Sequence, residues 1–169
     1  GYCEIDKYAK KAYETLYDTE NEVYYDDARK IDPNELPDLD LICGGFPCQS
    51  FSIAGKRGGF DDARGTLFFE IARIAAVKKP KYLLLENVPG LLSHDQGRTF
   101  AAILGALDEL GYDVAWEVLN SADFEVPQSR KRVYIVGFHR EKCSGKILSF
   151  TDANPKTLVQ RISGREGNR

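Results

Sequence analysis

Residues 39–48 read LDLICGGFPC. Leu39–Gly44 (LDLICG) has the branched, apolar composition of a strand. Phe46-Pro47 ends it, since proline stiffens the chain and holds the residue before it extended. The glycines just ahead let backbone come close to a ligand. Cys48 therefore stands directly past a strand end. A second run, Lys81–Leu85 (KYLLL), is nearly all apolar, the pattern of a strand buried on both faces, and it leads into Glu86-Asn87. Between them Thr66–Val77 reads as a helix, with Leu67, Ile71 and Ile74 on one side. Strand, helix, strand in this order is the unit of a parallel sheet.

Working outward, Asp6–Tyr17 (DKYAKKAYETLY) has helical spacing, with Asp6 as N-cap. Glu22–Tyr25 (EVYY) is a short strand ending at Asp26-Asp27, and Pro33–Pro37 is a turn region. The polar, glycine-rich stretch Ser50–Gly65 is longer than most connections, and such loops tend to carry function. Thr99–Leu110 is a helix striped by Phe100, Ile103, Leu104 and Leu107, with Gly111 as its C-cap. Asp113–Leu119 and Arg132–Phe138 alternate as strands. The fold class expected is α/β, a mostly parallel sheet with the final strand pair adding an antiparallel edge strand. Residues 1–143 are read as one partial catalytic domain and 144–169 as a tail or linker.

The chain has 169 residues, 43% hydrophobic and 29% charged, the balance of a globular domain. No apolar run approaches the ~20 residues of a membrane helix, and no signal peptide opens the chain. With 23 basic and 26 acidic residues the net charge is −3. That argues against a purely charge-driven nucleic-acid binder but leaves room for an enzyme with a local basic cleft. Four cysteines, at 3, 43, 48 and 143, include no Cys-x-x-Cys pair and suggest neither a zinc site nor a disulfide scaffold. A reduced, cytoplasmic protein without metal is expected. There is no methionine at all, which points to a piece of a longer chain.

In open α/β sheets, ligands bind past the carboxyl ends of the strands. Glu4, Asp27, Cys48 and Glu86 each follow an apolar run and so share that rim. Cys48 reads either as a nucleophile, if its thiol is activated, or as a small buried residue, and spacing does not choose; Cys3, Cys43 and Cys143 read as small core residues. Glu86 ends an apolar strand, where desolvation would suit it to give a proton, although a solvated strand-end acid reads equally well. Arg130 and Arg132, two apart, could reach one anion, but on the residues alone an ordinary charged turn is the better reading. Lys56, Arg57 and Arg64, with Gln49, Ser50 and Ser52, can line a phosphate backbone, against the reading of an ordinary surface loop. His94 reads as a loop residue and His139 as a strand-end surface residue, so a cysteine hydrolase, which wants a histidine base, is a poor fit.

GGFPCQSFS around Cys48, then Glu86-Asn87-Val88, then Gln128-x-Arg130-x-Arg132 resemble the DNA cytosine-5 methyltransferases of bacterial modification systems. GKRGGFDDARGTLFFEIARI (55–74) and PKYLLLENVPGLLSHDQG (80–97) match the same pattern, so the resemblance covers nearly all of residues 2–138 in the family's order. It implies a Rossmann-like, S-adenosylmethionine-dependent fold and methyl transfer to carbon 5 of a flipped-out cytosine in duplex DNA, with S-adenosylhomocysteine as product. It implies Cys48 as covalent nucleophile, Glu86 at the ring nitrogen, Arg132 at the base oxygen and Arg130 in support. Glu4, Ile5, Asp27, Ala28, Pro47 and Leu67 would hold the cofactor. Gln49, Ser52, Lys56 and Asn87 would face DNA.

The chain departs from the family in three places. The glycine-rich first motif, the target-recognition region after the last strand, and the closing asparagine motif with the final helix are not found, so the fold reads as incomplete at both ends. The other readings are an inactive or split subunit that needs a second polypeptide, and a transfer-RNA cytosine-5 methyltransferase.

Overall fold

Asp6 opens the first helix as expected: its carboxylate accepts from the amides of Tyr8 and Ala9, and α1 runs Lys7–Leu16. The structure, a computed structural model, describes residues 1–47, 67–143 and 160–162, the last three by backbone alone. On either side of α1 lie β1 (Tyr2–Cys3) and β2 (Tyr24–Tyr25), a short parallel ladder. Stacked tyrosines support it: the rings of Tyr2 and Tyr13 lie 4.5 Å apart and those of Tyr2 and Tyr24 5.2 Å apart.

The main sheet contains β3 (Leu41–Gly45), β4 (Tyr82–Asn87), β5 (Tyr112–Asn120), β6 (Lys131–His139) and β7 (Gln160–Ile162), in the order β3-β4-β6-β5-β7. β3 and β4 are parallel, and the other three pairings are antiparallel. The sheet is thus mixed rather than mostly parallel, and β6 lies inside it rather than forming the antiparallel edge expected from the sequence. This strand is inserted between β4 and β5, because a close β5–β6 hairpin lets β6 pair with both neighbours. β7 falls in the stretch read from sequence as tail; a three-residue strand is too short for periodicity to reveal.

Helices α2 (Leu67–Lys78) and α3 (Arg98–Glu109) cover one face of this sheet. Phe68, Ala72 and Ala75 of α2 join Phe100, Ile103 and Leu107 of α3 over Leu83, Leu85, Val133, Ile135 and Trp116. Each fully buried leucine or phenylalanine contributes about 1.5–3 kcal/mol by leaving water. Gly111 ends α3 with φ +86°, the left-handed conformation glycine adopts freely.

Two expectations change here. β4 is buried on one face only: Leu83, Leu85 and Asn87 are inside, while Tyr82 and Leu84 remain 41% and 39% exposed. Helices pack one side of it, so the apolar run conceals an alternating strand. Cys43, on the outer face with Leu84, is exposed rather than core. No helix among the described residues is long and apolar enough to cross a membrane.

His139 is buried rather than on the surface. Its ring meets that of Tyr112 edge-on, 5.1 Å between centroids, and Nδ1 has no hydrogen-bond partner among the described residues. Burial, helped by Lys142, Lys79 and Arg140 against Glu141, holds its pKa below the ordinary 6.5. The unfolded chain therefore takes up this proton first as pH falls. Stability is full above 6.5 and declines below it, down to the folded-state pKa. Urea midpoints measured from pH 7.5 to 5 should fall in the wild type and fall less in His139→Phe.

Candidate active site

The functional rim follows from strand direction. β3 and β4 end at the same edge of the sheet, and β6, running the other way, begins there. Glu86 pairs in register with Tyr134 on β6, so Arg132, two residues earlier, lies diagonally beside it on the same outer face. The side chains meet there, with Arg132 Nε 2.6 Å from Glu86 Oε1. Arg132 Nη1 donates to the Lys131 carbonyl, 2.8 Å, and Nη2 has no acceptor among the described residues. On the other side of Glu86 stands Gly45, its partner on β3. A Cβ built at Gly45 would lie 3.0 Å from Glu86 Oε2, so a larger residue there would press on the carboxylate.

Asn87 behaves otherwise than expected. It is 2% exposed and faces the core, not a DNA surface. Its Nδ2 donates to the Phe46 carbonyl at 2.7 Å, and its Oδ1 accepts from the Val88 amide at 2.8 Å. Strand alternation, with Glu86 turned outward, puts the next residue inside. Asn87 thus fixes the backbone at Phe46-Pro47, two residues short of Cys48. Cys48, Gln49, Ser52 and Lys56 lie outside the described residues.

Arg130 is held by its backbone. Its amide donates to Ser121 Oγ at 3.0 Å, and its carbonyl accepts from the Ser121 amide at 3.1 Å. Its side chain is exposed and meets no partner among the described residues. Arg130 thus stands one residue before β6, and Arg132 is the second residue of that strand.

The acids gather at the end of the small ladder. The Glu4 amide donates to the Tyr25 carbonyl, its own carbonyl accepts from Tyr24 Oη at 2.9 Å, and its Oε1 accepts from the Asp6 amide at 2.8 Å. Burial, then the charges of Asp27, Glu4 and Asp26, push the Cys3 thiol up, an electrostatic sign that these carboxylates converge. Asp27 caps the short turn Ala28–Lys30 and is gripped by Arg29, whose Nε reaches Oδ1 at 2.9 Å and Nη2 reaches Oδ2 at 2.7 Å. Chiefly through that hydrogen-bonded pairing its pKa is held at about 2. Ile5 stands 71% exposed beside Glu4, and Leu67 and Pro47 are exposed as well. Carboxylates beside open apolar side chains suit a ligand with hydroxyls and a flat, apolar ring.

The profile of the C-5 cytosine-specific DNA methylases matches residues 2–165. The chain belongs to this family. Type II methyltransferase M1.ScrFI of Lactococcus lactis subsp. cremoris is 54% identical over 165 residues, 98% of this chain and 40% of that protein. Orphan methyltransferase M.SPRI of Bacillus phage SPR is 43% identical over 161 residues, 95% of this chain and 36% of that protein. The chain therefore spans about 40% of the length of such relatives. Among solved structures, Schizosaccharomyces pombe (S. pombe) Dnmt2 methyltransferase superposes with TM-score 0.63 at 22% identity, over 96% of this chain and 49% of that one. The Spodoptera frugiperda DNMT2 mutant gives 0.60 at 23%, over 81% and 41%. These structures establish the α/β methyltransferase fold.

Sequence reasoning passed over three contributors. Gly45 was legible only as one of two adjacent glycines. Glu117 lies in register with Tyr134, in the same row as Glu86, and is 1% exposed with neither oxygen hydrogen-bonded among the described residues; one glutamate in an alternating strand carries no mark. The latch of Asn87 needs the β3–β4 pairing to be seen. Replacing Asn87 by Leu would leave the Phe46 carbonyl without its donor, at a cost of about 1–3 kcal/mol. Urea unfolding should show that loss, whereas an unchanged midpoint would mean the latch is slack.

Proposed function

We propose that this chain forms part of a DNA (cytosine-5-)-methyltransferase, which transfers a methyl group from S-adenosylmethionine to carbon 5 of cytosine in duplex DNA. The observation that carries the reading is the Glu86–Arg132 pair beside the strand end that leads into Cys48, in a chain of this family. A relative named a type II methyltransferase supports a role in bacterial restriction-modification, in the cytoplasm.

Carbon 5 of cytosine is a weak nucleophile. Addition of the Cys48 thiolate to carbon 6 makes carbon 5 enamine-like, while Glu86, protonated when the base is bound, donates to nitrogen 3 as negative charge develops there. Arg132, whose Nη2 has no acceptor among the described residues, donates to the base oxygen, and Arg130 supports the neighbouring phosphate. S-adenosylmethionine supplies the electrophilic methyl when bound. After methylation, loss of the carbon 5 proton expels the Cys48 thiolate and restores the ring. A cytosine stacked in the duplex is out of reach, so the base is flipped into the site, with Gln49, Ser52 and Lys56 on the DNA side.

The residues at the acidic rim fit the cofactor. Glu4 would accept from the ribose hydroxyls, Ile5 would cover the adenine face, and Asp27, beside Ala28, would accept from the adenine amino group. Pro47 and Leu67 would line the methionine side.

The full-length protein, incubated with duplex DNA and methyl-labelled S-adenosylmethionine, should place label in 5-methylcytosine. Cys48→Ala should abolish it, and Glu86→Gln should slow it by about 10²–10⁴-fold. Label in transfer RNA instead of DNA, or label retained in Cys48→Ala, would sink this reading. Gly45→Ala offers a finer check. The new methyl group meets only the tip of Glu86, so thermal stability should hold while methyl transfer drops about tenfold through the displaced carboxylate.

A further inference from the structure

The β1–β2 ladder shares no strand pairing with the five-stranded sheet among the described residues. The turn Ala28–Lys30, which Asp27 caps, follows a strand of only two residues. Its internal bonds are few: the Lys30 amide reaches the Asp27 carbonyl at 3.0 Å and the Ile31 amide reaches Ala28 at 3.3 Å. Something outside the ladder must set where this turn sits.

Arg73 on α2 is placed to do so. Its Nη1 donates to the Ile31 carbonyl at 2.9 Å and its Nη2 to the Ala28 carbonyl at 3.1 Å, bridging more than forty positions of sequence. Nε donates to Glu70 Oε2 at 2.9 Å, one turn earlier on the same helix. Glu70 Oε2, 2.9 Å from both Nε and Nη2, therefore fixes the guanidinium plane, while Nη1 and Nη2 reach the two ends of the turn. A planar fork can span two carbonyls in this way, and a single ammonium cannot. Ile31 and Pro33, both buried, seat the same segment against the body.

We propose that Arg73 is a positioning residue for adenine recognition: it clamps the Asp27–Ala28 turn to α2 and so fixes the carboxylate that reads the adenine amino group. The proposal rests on the role given to Asp27 above. The two arginines divide the task. Arg29 holds the Asp27 side chain within its own turn, and Arg73 holds that turn to the rest of the molecule. Arg73 itself touches neither base nor cofactor.

The test compares two ligands of the full-length protein by calorimetry: S-adenosylhomocysteine and S-inosylhomocysteine, in which a carbonyl oxygen replaces the adenine amino group. The wild type should prefer the adenine ligand by on the order of tenfold to a hundredfold, as for a hydrogen bond to a charged group. In Arg73→Ala that preference should shrink by about tenfold. Unfolded protein binds neither ligand, so the ratio is insensitive to the folded fraction. Arg73→Lys keeps a charge beside Glu70 and should shrink the ratio as well. A wild-type ratio retained in both variants would overturn the proposal while leaving Asp27 as the adenine reader. No preference in the wild type would overturn the reading of Asp27 and the proposal with it.

Discussion

In the parallel ladder of β3 and β4, Gly45 stands opposite Glu86, and the absence of a side chain at Gly45 gives the carboxylate room above the strand. The rest of the site builds on that pairing. Strand alternation turns Glu86 outward and Asn87 inward. Two consecutive residues therefore serve one end of β3 from opposite faces: Glu86 presents the acid, and Asn87 ties down the Phe46 carbonyl. Inserting β6 antiparallel brings its first residues to the edge where β3 and β4 end, so Arg132 arrives beside Glu86 from a segment more than forty positions away. A register slip of one residue would turn Glu86 into the core and Asn87 into solvent.

Most elements were legible because their signals are local. The Asp6 cap, the α3 stripe and the Gly111 turn rest on residues within a few positions of one another. What escaped depends on partners distant in sequence. Lys81–Leu85 looked buried on both faces because composition cannot say that helices pack on one side only. His139 looked like a surface residue at a strand end, but the ring of Tyr112 closes over it from the neighbouring strand. Asn87 was read with its motif as facing DNA; only the β3–β4 register shows its amide turned to the Phe46 carbonyl. The candidate residues Glu4, Asp27, Glu86, Arg130 and Arg132 were singled out because each adjoins a strand end. The sequence had no means of showing that Arg132 meets Glu86 directly.

Charge in this chain is sorted by element, which is why the net value of −3 says little about the site. Glu4, Asp26 and Asp27 close the β1–β2 ladder, near enough together to raise the Cys3 thiol. Arg130, Lys131 and Arg132 open β6. The two groups lie on separate ladders, each with its own counter-charges: Arg29 and Lys30 against Asp27 and Asp26, and Glu86 against Arg132. With no strand pairing between the ladders among the described residues, their relative position rests on α2, whose Arg73 grips the backbone that follows Asp27 and whose Phe68 and Ala72 are sunk in the core over β4. One helix thus references both halves of the site to the same core.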